Sequence, residues 1–186
     1  MSGLISTIRT NSEHPDFQEL VRALDKDLAL RDGADHGFYA QFNKIDLIQH
    51  AIVAYAPAQK SSLPDTVEQE RAILQKHAIL QERAILQGHA VGCGAIKAFS
   101  NDAMHEAIEV KRMYVPPDQR GNGIASFVLS ALEEWAKEMG YKRCVLETGK
   151  RQPEAIALYK KNGYTITPNY GQYIGIANSV CFEKVL

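Results

Sequence analysis

Residues 110–126 read VKRMYVPPDQRGNGIAS, and this stretch carries the most specific chemistry in the chain. Pro116 and Pro117 have no backbone donor, so a strand arriving at Val115 must end its ladder there. Gly121 and Gly123 then flank Asn122 where helical periodicity begins, near Ile124. The first N–H groups of a helix have no partner within it and carry partial positive charge. Glycines beside them remove side chains that would hold an oxyanion away, and they permit positive φ. Arg120 adds a cation at the rim. The stretch is a candidate anion site, although a short G-x-G pair also occurs by chance in plain strand–turn–helix connections.

Other reactive residue types offer less. Cys93, Cys144 and Cys181 are odd in number, widely spaced and set in apolar contexts, which fits free buried thiols in a reducing compartment. The six histidines show no HExxH-type spacing, so no metal is expected. Lys and Arg number 21 against 22 Asp and Glu, a formal net charge of −1, which argues against a general nucleic-acid binder. No apolar run approaches the roughly 20 residues of a membrane helix, and the first residues lack a signal-peptide pattern. A cytoplasmic protein without membrane or nucleic-acid partners is the expectation.

The elements that must position the site follow from periodicity. At 186 residues the chain has the size of one domain, and 45% hydrophobic residues can fill a core. Residues 4–9, 48–56, 89–99, 107–115 and 144–148 read as strands, as do YTIT and SVCFEKVL near the end. A helix is expected from Pro15 to Gly33, with Phe17, Leu20, Val21, Leu24 and Leu28 on one face. HGFYAQFN, residues 36–43, is a second helix or a capping loop. Residues 124–140 form another helix, and 153–163 the last, with Pro at its start and Gly at its end. The order β-α-α-β-β-β-α-β-α-β-β predicts an α/β fold with a mixed, mostly antiparallel central sheet flanked by helices.

Residues 70–90, ERAILQKHAILQERAILQGHA, repeat a hexad three times. Three six-residue units are too few for a solenoid, so residues 61–88 read as an insert between two strands of a single domain spanning 1–186. The composition favours helix, yet each unit rotates about 600°, which scatters Ile and Leu around the circumference. Such a helix needs covering on several sides, and self-association into a homodimer is one way to supply it. An extended hairpin arm is the competing form.

The pattern Arg120-x-x-Gly123-x-Ala125 resembles the R/Q-x-x-G-x-G/A signature of the GNAT superfamily of N-acetyltransferases, with EVKRMYV before it and LETG and AIALYKKNGY after it. The tail YGQYIGIANSVCFEK resembles small bacterial members, and the likeness covers the chain except the repeat. The resemblance implies that the strands at 107–115 and 144–148 splay apart and that acetyl-CoA lies between them. Met113, Tyr114 and Val115 would then flank pantetheine and the thioester. Arg120, Gly121, Asn122, Gly123, Ile124, Ala125 and Ser126 would form the pyrophosphate turn. Lys150, Arg151, Lys160 and Lys161 could meet the 3′-phosphate, or simply be solvated.

By the same resemblance, Glu109 is the candidate base. It lies four residues before Met113, so strict alternation would put both side chains on one face. Pairing with Lys111 is the alternative use of Glu109. Tyr159 is the candidate acid, because a phenol with a pKa of about 10 stays protonated at neutral pH and can donate to a departing thiolate; a core aromatic is its other reading. Phe38, Tyr39, Tyr170 and Tyr173 are expected to wall an acceptor site for a small primary amine, or an amino-terminal or lysine amine. The expected activity is acetyl transfer from acetyl-CoA. Acyl-CoA binding without transfer, or an interaction role for the repeat, are the competing uses.

Overall fold

The computed structural model describes residues 5–33, 36–42, 44–46, 48–57, 88–99 and 106–186, and the hexad repeat lies outside them. Strands β1 (Ser6–Thr10), β2 (His50–Ala56), β3 (His89–Ala98), β4 (Ala107–Tyr114), β5 (Arg143–Gly149), β6 (Thr165–Thr167) and β7 (Ser179–Val185) form one sheet. Its order is β1-β2-β3-β4-β5-β7-β6. Every neighbouring pair is antiparallel except β4 and β5, which run parallel. Helices α1 (Pro15–Asp32), α2 (His36–Ala40), α3 (Ile124–Glu138) and α4 (Pro153–Lys161) complete the order expected from periodicity.

The sheet is covered on both faces, which is why β2 reads as a continuous apolar run. Ala51, Val53 and Tyr55 pack with Phe17, Leu20, Val21 and Leu24 of α1. Ile52 and Ala54 point the other way, into the cluster built on Val128, Leu129 and Leu132 of α3. The α1 helix begins as its sequence demands: Pro15 occupies the first turn, and the His14 side chain accepts from the Asp16 N–H at 3.3 Å. Gly33, with φ of 56°, follows its last turn.

Two irregularities of β4 create the site. Its parallel pairing with β5 covers only Ala107↔Arg143, Ile108↔Cys144 and Glu109↔Val145. Beyond those rungs β4 continues against β3 and β5 against β7, but not against each other. The second irregularity is a bulge: the β3 register jumps from Cys93↔Tyr114 to Ala95↔Lys111, so Arg112 and Met113 together oppose Gly94. Arg112 takes the positive φ of 59° that accommodates the extra residue.

The bulge overturns the expectation from strict alternation. Arg112 bonds to Asp25 of α1, and Lys111 reaches Tyr173 beside it. Met113 packs instead with the α3 cluster, on the face opposite Glu109. Gly94 makes this possible, since a Cβ there would stand 2.4 Å from Met113 Sδ and 2.8 Å from Leu132 Cδ1. No helix among the described residues is long and apolar enough to cross a membrane.

Candidate active site

Where β4 and β5 part, a cleft of about 360 Å3 opens between α1, the turn before α3, and α4. A 3-10 turn at Pro117–Gln119 leads into it, with the Gln119 N–H bonded to Pro116 O at 2.9 Å. Gly121 and Gly123 have φ of 84° and 78°. A Cβ at either would meet nothing within 4 Å, so these positions need glycine for conformation rather than for room inside the chain. Gly123 is the N-cap of α3, no side chain caps the helix, and its first turn holds no acid. Ile124, Ala125 and Ser126, which carry the first N–H donors of α3, line the cleft, and a helix N-terminus of this kind suits an anion.

The other expected turn residues divide. Tyr114, Met113, Val115 and Ser126 line the cleft. Ser126 Oγ accepts from Asn162 Nδ2 at 3.0 Å, tying α3 to the end of α4. Arg120 also lines it, but its Nε donates to Val115 O at 3.0 Å and its Nη2 to Asp27 at 3.3 Å. Asn122 is exposed, does not line the cleft, and closes the turn through Nδ2 to Gln119 O at 3.1 Å.

A smaller cavity of about 90 Å3 continues from the cleft, and the two share Leu24, Met113, Gln152 and Tyr159. Tyr159 is buried, and burial, then the charge of Glu147, push its phenol pKa upward, so it remains protonated. Tyr39 and Tyr173 wall the cavity as expected. The Tyr39 hydroxyl lies 3.2 Å from Ser179 Oγ, and Tyr173 accepts from Lys111 Nζ at 3.1 Å. Phe38 stands behind them, edge-on to Tyr39 at 5.2 Å. Tyr170 belongs to the neighbouring core cluster with Val145 and Cys181, and donates to Glu109 Oε1 at 3.5 Å.

Glu109 does not line either cavity. Its carboxylate is buried against Lys111 Nζ at 3.1 Å, the pairing that the sequence also allowed. The carboxyl that does line the cavity is Glu147 of β5. Burial raises its pKa to about 7, with Glu109 and Asp32 adding to the rise and Ser179 and Lys111 opposing it. Its Oε1 is buried without a hydrogen-bond partner among the described residues. The sequence held a signal for it: a lone acid in the compact strand CVLET, where a charge is rarely buried without a use.

A parallel pair with only three rungs, an uncapped glycine-turned helix and a buried carboxyl thus meet around two adjoining cavities. The model of the acetyltransferase (GNAT) family matches residues 45–164, well over half the chain. The chain belongs to the GNAT acetyltransferase family. It is 38% identical over 96 residues to the IAA acetyltransferase of Azospirillum brasilense, a match covering 52% of this chain and 61% of that protein. The chain spans between 44% and 61% of the length of the first curated relatives it matches. A Klebsiella pneumoniae protein assigned to the acyl-CoA N-acyltransferases superposes with a TM-score of 0.67 at 25% identity, covering 98% of both chains. A Bacillus subtilis acetyltransferase solved with CoA shares the fold, with a TM-score of 0.59 at 12% identity over 98% of this chain and 99% of that one.

Proposed function

We propose that this chain is an acetyl-CoA-dependent N-acetyltransferase acting directly on a primary amine of a small molecule. The observation that carries this reading is the junction of the two cavities at Met113 and Tyr159, with an uncapped helix at one end and Glu147 at the other. Acetyl-CoA supplies the thioester carbonyl that is attacked and the thiol that leaves. The N–H groups at Gly123, Ile124 and Ala125 would hold its pyrophosphate, and the unpaired reach of β4 at Met113 and Val115 would hold the arm leading to the thioester.

The bond-making needs a neutral amine, because an ammonium has no lone pair. Glu147, with a pKa of about 7, takes a proton from the acceptor at neutral pH. As the C–N bond forms and the C–S bond breaks, a backbone N–H at Met113 stabilises the oxyanion. Tyr159 donates its phenolic proton to the departing sulfur. In this reading Glu109 is a partner of Lys111, and its charge helps keep Glu147 basic. The test is thiol release from acetyl-CoA over a panel of primary amines. Tyr159→Phe should lower kcat by about 100-fold with little change in acetyl-CoA affinity, the usual weight of one positioned acid. An unchanged kcat would remove Tyr159 from the chemistry.

A further inference from the structure

The bulge in β4 has a consequence for which acceptor fits. In a regular strand Lys111 and Arg112 would point to opposite faces. The extra residue turns both toward the α1 face, and both line the small cavity that holds Glu147 and Asp32. Each cation is partnered from outside that cavity: Lys111 by Glu109, which does not line it, and Arg112 by Asp25 at 2.5 Å, which does not line it either.

Both cations keep donor capacity. An ammonium has three donors, and Lys111 spends one on Glu109 and one on Tyr173, each at 3.1 Å. Arg112 is only 6% exposed, and its Nε is buried with no hydrogen-bond partner among the described residues. A buried guanidinium N–H without an acceptor is costly, and here it sits on a residue held at positive φ. The first cost is met if an acceptor atom arrives with the ligand; the second follows from the bulge. The same cavity is also lined by Glu147 and by Asp32, which is buried at 3% exposure.

We propose that the acceptor is an α-amino acid: its amine faces Glu147 and Asp32, and its carboxylate is received by Lys111 and the Nε–H of Arg112. A cavity lined by side chains of both signs suits a zwitterion, and a simple alkylamine would leave the buried Nε–H of Arg112 without an acceptor. This deepens the acetyl-transfer reading and rests on it.

The experiment compares thiol release from acetyl-CoA with the common L-α-amino acids and with their decarboxylated counterparts, such as phenylalanine with 2-phenylethylamine and lysine with cadaverine. The wild-type enzyme should turn over at least one amino acid with kcat/KM about 100-fold or more above its amine, since a site built to bond a polar group rejects the analogue lacking it. Lys111→Gln and Arg112→Gln should each shrink that ratio by about tenfold or more, chiefly through KM of the amino acid. The wild-type comparison stands even if a variant fails to fold. Turnover of the amines equal to or above that of the amino acids would overturn the acceptor class and leave acetyl transfer intact. A ratio that survives both substitutions would overturn the assignment of Lys111 and Arg112. Absence of thiol release across the whole panel would overturn both readings.

Discussion

In the proposed reaction Glu147 is the base, and its environment sets a pH dependence. Its pKa in the folded chain is raised to about 7 by burial, above the ordinary 4.5. The basic form therefore grows in as pH rises through about 7, and kcat/KM should climb to a plateau above it. Glu147→Gln should abolish that limb and cost about 100-fold in kcat. Stability has the opposite sign. A carboxyl with a raised folded pKa stabilises the fold fully below its unfolded pKa, and that contribution is lost as pH rises through the folded value. Glu147→Gln should therefore gain on the wild type between pH 5 and pH 8, by on the order of 2–3 kcal/mol in denaturant titrations. Parallel wild-type and variant curves would contradict the assignment. At this scale the sequence was partly legible. Tyr159 stands in a recognisable stretch, AIALYKKNGY, and both Tyr39 and Tyr173 reach the cavity. Glu147 escaped because a residue's access to a cleft depends on where two strands part, which periodicity along one strand does not encode.

At the scale of elements, the splay and the bulge of β4 do the positioning. The element order and the mixed sheet were readable from the alternation of periods, since each long helix has its Pro or Gly punctuation and each buried strand its apolar run. The bulge was not read from β4 itself, where only the succession of Lys111 and Arg112 interrupts the alternation of IEVK. Its trace lies in the partner: Gly94 in HAVGCGAIKAF leaves space for Met113 and for Val128 and Leu132 of α3. Gly94→Ala would drive a methyl into Met113 Sδ and Leu132 Cδ1. It should cost about 1–3 kcal/mol as an overpacked core site and lower activity by moving Met113. Equal stability and full activity would mean that the helix–sheet contact is looser than the geometry implies.

For the whole molecule, β2 and β3 pair directly although the hexad repeat separates them in sequence. The register brings Ala56 opposite His89, so the strands on either side of the insert meet directly. Replacing residues 58–87 with a short Gly/Ser loop should leave the melting temperature and acetyl-CoA binding close to the wild type, because loop-closure cost varies only slowly with length. Sedimentation velocity on the same variant tests the homodimer reading of the repeat, which predicts a shift toward monomer. An unchanged oligomer would place any self-association elsewhere. The repeat's own form stayed open in the sequence, because a period of six fits neither a helical stripe nor a solenoid unit.

The most direct test of the central claim is a calorimetric titration of acetyl-CoA into the wild type and into Gly123→Ala. The alanine Cβ meets nothing within 4 Å, so the substitution acts through the strain of holding φ near 78° and ψ near 0° at the N-cap of α3. The account predicts one saturable site in the wild type, and binding roughly tenfold weaker in the variant, which corresponds to about 1.4 kcal/mol. No binding by folded wild-type protein, or equal binding by both, would contradict it.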